Sequence, residues 1–112
     1  MLAGLESGLD LVDETYLCPV FEDEVTPLLR TDARIDDSVH FSTVEGAAGR
    51  LQSRDGWQHP PGSSFAAWTR TAGRSRVVYI QPGDAARTLD DSAYRTLVSN
   101  AVTWVAEMAT RA

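Results

Sequence analysis

Ser75-Arg76-Val77-Val78-Tyr79-Ile80-Gln81 joins two adjacent β-branched valines to an aromatic ring and an isoleucine. That composition favours a pleated, half-buried backbone. Its near-continuous apolar run predicts burial on both faces, as in the middle of an α/β sheet. Pro82-Gly83 then ends the strand sharply. Working backward, Ala72-Gly73-Arg74 is turn-like, and Ser64–Thr71 (S-F-A-A-W-T-R-T) is rich in aromatic and small residues. The two runs and their turn predict a β-hairpin. Working forward, Tyr94, Leu97, Val98, Ala101, Val102, Trp104, Val105 and Met108 recur in steps of three and four. This is the spacing of a helical face wider than one stripe. Asp90, Asp91 and Ser92 supply N-cap oxygens and negative charge at the helix start, and Arg111 suits its end. The helix is predicted over Asp91–Thr110.

The first half carries weaker signals. Leu9–Val12 reads as a short extended segment entering Asp13-Glu14. Val25–Arg30 reads as a strand that Pro27 pushes to an edge or a bulge. Ser38–Val44 alternates Val39, Phe41 and Thr43 against polar neighbours, the pattern of a half-buried strand. Between Glu45 and Ser64 the chain is broken by Gly46, Gly49, Gly56, Pro60, Pro61 and Gly62, with room for a helical turn at Ala47–Ser53. Loops this long in compact domains are often functional.

The 112 residues fit a single domain spanning 1–112, with 43 % hydrophobic and 23 % charged residues. The net charge of −6 and the acidic crowding from Glu6 to Asp37 argue against nucleic acid or an anionic membrane as a partner, since both require a basic footprint. No run approaches the roughly 20 apolar residues of a membrane span. The N-terminal residues lack the charged and apolar regions of a signal peptide, so the expected location is cytoplasmic. Cys18 is the single cysteine; it excludes an intrachain disulfide and a multi-cysteine zinc site and reads as a structural thiol.

Three segments, in order, resemble the ThuA-like (trehalose-utilisation) family. Gly8-Leu9-Asp10-Leu11-Val12-Asp13-Glu14-Thr15-Tyr16 is similar to its Asp-Glu-x-Tyr segment. Ala67-Trp68-Thr69-Arg70 followed by Gly73-Arg74-Ser75-Arg76-Val77-Val78-Tyr79 resembles its tryptophan hairpin. Pro82-Gly83-Asp84 and Asn100-Ala101-Val102-Thr103-Trp104-Val105 resemble its Gly-His turn and terminal helix. The resemblance covers nearly the whole chain and corresponds to the C-terminal half of the family's domain. It implies an α/β fold of flavodoxin-like, class I glutamine amidotransferase-like type, with a mostly parallel sheet, a β-hairpin and a long C-terminal helix. It also implies a small-molecule carbohydrate as ligand. Asp84 stands where the family has histidine, so any proton or metal role of that histidine is altered here. A half-domain leaves a sheet edge or face uncovered, which predicts a homo-oligomer or completion by another chain.

The candidate site follows from the same segments. Glu14 and Asp84 are the candidate catalytic carboxylates. Asp13, Tyr16, Trp68, Arg70 and Gly83 are the candidate substrate-binding residues. Adjacent carboxylates on an extended segment point to opposite faces. One of Asp13 and Glu14 can therefore face a pocket beside the Tyr16 phenol while the other caps or pairs; alternatively, both bond backbone at a turn. Trp68 and Arg70 share a strand face and form either a sugar or carboxylate platform or a core indole beside a surface guanidinium. Gly83-Asp84 follows the C-terminal end of the best strand, where open α/β sheets bind ligands; the simpler reading is an ordinary turn. His59 lies in a loop that can fold over a site, and His40 has no metal-ligand spacing to another histidine or cysteine. No metal or other cofactor is expected. Three functions follow: a sugar-transforming enzyme, a non-catalytic sugar-binding or regulatory module, or a subunit of a larger assembly.

Overall fold

The computed structural model describes residues 1–107. Strand β1 (Thr26–Arg30) follows a 3₁₀ turn at Glu22–Glu24, and helix α1 (Thr43–Ala47) comes next. Strands β2 (Phe65–Ala72) and β3 (Ser75–Ile80) form the hairpin. Helices α2 (Ala86–Asp90) and α3 (Ser92–Ala106) follow. The sheet has three strands in the order β1-β2-β3, and both pairings are antiparallel. This corrects the expected flavodoxin-like, mostly parallel sheet. Parallel neighbours need a crossover connection, usually a helix packed on the sheet; a two-residue hairpin joins β2 to β3, and the long β1–β2 connection carries the five-residue α1 and returns the chain antiparallel.

Ala72 pairs with Ser75 across Gly73-Arg74. Gly73 has φ +59°, as the first central position of a type II′ turn requires. β3 is thus an edge strand rather than a central one. Its apolar run is explained differently from the sequence expectation: α3 lies over one face, and Tyr79 stacks on Trp68 on the other, with ring centroids 5.0 Å apart. β1 forms where Val25–Arg30 was expected, and its pairing is irregular just after Pro27, as proline in a ladder dictates.

Ser38–Val44 is not a strand. Asp36 accepts from the Ser38 backbone at 2.9 Å and from its hydroxyl, and Ser42 caps α1 through Glu45 N. Short polar side chains here satisfy the backbone locally and displace the ladder. The helical turn lies at Thr43–Ala47, ahead of the expected Ala47–Ser53. Leu9–Val12 pairs with no strand.

α3 forms as its periodicity predicts, with Asp91 accepting from Tyr94 N at 2.8 Å. The expected helical residues Met108, Thr110 and Arg111 lie outside the described residues. Tyr94, Leu97 and Ala101 are its buried stripe. They meet a small core containing Leu5, Ile35, Phe65 and Ala67. Leu97 is 1 % exposed, and burying a leucine this fully contributes about 2–3 kcal/mol. α3 runs antiparallel to β3: Tyr94 Oη donates to Pro82 O at 2.8 Å at one end, and Arg76 donates to Trp104 O at 2.7 Å at the other. Arg76 also lies over the Trp104 ring, 4.5 Å from its centroid.

The long segment between β1 and β2 is pinned at Gly62, which donates to Ile35 O at 3.0 Å. A Cβ on Gly62 would lie 2.6 Å from the Ile35 side chain, so glycine lets the two ends of this loop approach. This bond closes the loop at its base, and contacts of His40 with Thr15 at 3.0 Å and of Ser63 N with Cys18 O at 3.5 Å hold it beside the N-terminal segment. No described helix is long and apolar enough to cross a membrane.

Candidate functional site

Asp13 and Glu14 diverge, as alternation along an extended segment requires. Asp13 turns inward and clasps the loop after β3. Its carboxylate accepts from Gly83 N at 3.0 Å, from Ala85 N at 3.3 Å and from Glu14 N at 2.8 Å. The buried Thr88 hydroxyl lies against the same carboxylate. Although it falls outside strict hydrogen-bond geometry, it is the largest influence holding the Asp13 carboxyl down at about 2, ahead of those backbone donors. A carboxylate satisfied in this way is a structural clasp. Gly83 belongs to the clasp too: it has φ +139°, and a Cβ would lie 2.5 Å from the Tyr94 hydroxyl.

Glu14 faces outward and accepts from the Tyr16 phenol at 2.5 Å. That bond, then desolvation and the charges of Glu14 and Asp84, push Tyr16 up to about 12. Tyr16 N donates to Gln81 Oε1 at 3.3 Å, which fixes the segment against the end of β3. Asp84 is exposed and acts on Tyr16 through its charge.

A cleft of about 900 Å³ opens over this pair. Glu14, Tyr16, Phe41, Trp57, His59 and Tyr79 supply its aromatic and polar walls. His40 is also part of its wall and is already committed. Its Nδ1–H donates to Asp36 O at 2.8 Å, so in the neutral ring Nε2 accepts from Thr15 Oγ1 at 3.0 Å. His59 Nδ1–H donates to Pro60 O at 2.7 Å, which leaves the neutral Nε2 an acceptor. The Trp57 and His59 rings lie 6.1 Å apart.

A second cleft of about 560 Å³ lies on the other side of Asp13, between Gly8–Thr15, the end of β1 and α3. Its cation, Arg30, is occupied by the Phe65 ring at 4.2 Å and by Ser64 at 3.3 Å.

The structure brings Glu14 and Tyr16 together, with Asp84 beside them, and assigns Asp13 and Gly83 to the clasp. Trp68 and Arg70 do share a face but do not line the cleft. Trp68 stands behind Tyr79, and Arg70 turns to Glu24 at 3.7 Å. Phe41, Trp57 and Tyr79 were not foreseen as site residues. The signal available for them was the density of aromatic residues in and beside the long Gly/Pro-broken loop. Among the described residues no cluster of side chains is fit to hold a metal ion.

Comparison of the chain with protein-family models, curated proteins and solved structures found no match.

Proposed function

We propose that this protein binds a carbohydrate in the larger cleft, in the sugar-utilisation role that its resemblance to the ThuA-like family implies. One observation carries the reading: the Glu14–Tyr16 pair lies in a cleft walled by Tyr16, Phe41, Trp57 and Tyr79. Sugar rings present apolar C–H faces that pack on aromatic rings and hydroxyls that both donate and accept. A ligand hydroxyl inserted between Glu14 and Tyr16 donates to the carboxylate and accepts from the phenol. The His59 Nε2 offers a further acceptor.

The chemistry favours binding over turnover. General acid–base catalysis works best with groups titrating near the working pH. A phenol held at about 12 stays protonated at neutral pH and serves as a fixed donor. Of the other carboxylates nearby, Asp13 is committed to the Gly83–Ala85 backbone, and Asp84 is exposed and acts on Tyr16 through its charge. The proposed setting is the cytoplasm, where the free Cys18 stays reduced.

The test is titration of the protein with trehalose and with glucose, followed by intrinsic tryptophan fluorescence and by calorimetry. Binding of either sugar that weakens at least tenfold in both Tyr16→Phe and Glu14→Gln is the expected result. No heat and no fluorescence change with either sugar at millimolar concentration overturns the proposal.

A further inference from the structure

The open edge of β3 is built to pair with itself. Gln81 N donates to Ala66 O at 2.8 Å, in the same register as Ala67↔Ile80. In an antiparallel ladder, hydrogen-bonded and non-hydrogen-bonded pairs alternate. Ser75, Val77 and Tyr79 therefore direct their N–H and C=O groups toward β2, while Arg76, Val78 and Ile80 direct theirs to the outside. No backbone hydrogen bond reaches these outward groups among the described residues. Arg76 is the one charged residue on the edge, and no proline, lysine or bulge interrupts Ser75–Ile80. β1, at the opposite edge, has both Pro27 and register shifts.

The helix above the edge presents a matching surface. On one flank of α3, Asn100 donates to Met1 O at 2.8 Å and to Ala3 O at 3.0 Å. The N-terminal segment continues from there over the ends of β1 and β2, lining the smaller cleft with Leu29 and Ala66. The opposite flank, at helical spacing, is Val98, Val102 and Val105. It faces the open side of β3, and Val102 and Val105 are 64 % and 40 % exposed.

We propose that a second copy of this chain occupies this edge, giving an isologous dimer with a continuous six-stranded antiparallel sheet. A two-fold axis perpendicular to the sheet keeps each face on its own side, so directly opposed residues must share parity. Centring the axis on Val78 satisfies this. Val78 then pairs with its own counterpart and Arg76 with Ile80 of the second copy, which uses all the outward groups in about six inter-chain bonds. Val77 faces Tyr79 of the second copy, a favourable β-branched–aromatic pair. No like charges oppose one another, because Arg76, the one charged residue of the strand, is held by Glu107 at 3.6 Å and by Trp104. The same axis sets the two α3 helices side by side and antiparallel, with Val98, Val102 and Val105 between them. A strand edge and a helix flank bury on the order of 1,000 Å² in total, at the lower limit of a stable interface, so a micromolar dimer is expected.

Light scattering after gel filtration, on the full chain loaded at about 200 µM, tests this. The expected mass is twice the 12.2 kDa of one chain. Val78→Pro removes an outward N–H while sparing the bonds to β2, and Val102→Glu sets two carboxylates against each other at the axis. Each is expected to give the single-chain mass with an unchanged circular dichroism spectrum. If Val78→Pro fails to fold, Val102→Glu at its exposed position decides. Hydrogen exchange reads the pairing directly: the Val78 and Ile80 amides are expected to be protected at high concentration and to exchange rapidly at about 1 µM. A single-chain mass for the unmodified protein, a mass above two chains, or a dimer that persists in a folded variant overturns the proposal. None of these outcomes depends on sugar binding.

Discussion

Replacing Asp13 tests whether the clasp, rather than the core alone, holds the N-terminal segment in place. Asp13→Ala removes an acceptor from Gly83 N at 3.0 Å and Ala85 N at 3.3 Å. Hydrogen bonds to a charged partner contribute about 1.5–3 kcal/mol each. The carboxylate is only half-buried, so solvent screening reduces that, and a total loss of about 2–3 kcal/mol is expected. For a domain of this size the loss lowers Tm by roughly 8–15 °C. The pH dependence sharpens the test. The Asp13 carboxyl sits at about 2 in the folded protein against 3.8 when unperturbed. The unfolded chain therefore binds this proton first as pH falls. The contribution is fully present above about pH 4 and is lost as pH drops through about 2. Urea denaturation of the unmodified protein, Asp13→Ala and Asp13→Asn, followed by circular dichroism at neutral pH and near pH 2.5, measures both effects. The gap between the unmodified protein and the variants should narrow in acid. A loss below about 0.5 kcal/mol at neutral pH, the usual range for an uninvolved surface position, would refute the clasp, as would a gap that stays constant with pH.

Gly83→Ala should cost about 2–3 kcal/mol in the same assay, because φ +139° suits glycine and the new Cβ meets the Tyr94 hydroxyl; a change under about 0.5 kcal/mol would contradict that geometry. Glu14→Gln should bring the Tyr16 phenol down from about 12, visible as an earlier tyrosinate absorbance rise in alkaline titration, and an unchanged titration curve would deny the pairing. Trp68→Phe keeps a ring on Tyr79 and removes a buried indole N–H that has no hydrogen-bond partner. It should cost less than about 1.5 kcal/mol, against about 3–5 kcal/mol for Trp68→Ala, with equal losses disproving the stacking account.

Local signals were readable wherever one physical cause dominated. The hairpin follows from two strand-forming runs around Gly73, and α3 follows from its apolar spacing and the Asp91 cap. Ser38–Val44 misled because alternation is ambiguous when Asp36 and Ser42 offer the backbone local partners. The apolar run at Val77–Ile80 misled in another way. A strand covered by a helix on one face and by an aromatic stack on the other looks the same whether it lies centrally or at an edge. For the site, Glu14 and Tyr16 were legible as neighbours on one face of a segment. Trp68 and Arg70 were correctly placed on one face, but the pleat fixes a face and not how far along it a cleft extends. The joining of Phe41 and Trp57 to that cleft goes with the Gly62 closure at Ile35 and the His40–Thr15 contact, long-range bonds that no local pattern encodes.

The clasp between Asp13 and the Gly83–Ala85 loop also bears on the order in which the chain is made. Synthesis delivers Asp13 70 residues before Gly83, and Met1 99 residues before the Asn100 that holds it. This N-terminal segment has no docking place until α3 has been made, and such distant closures form slowly. The hairpin amides should therefore gain protection from exchange before the Gly83 amide does, so that a segment made before its partners is placed after them.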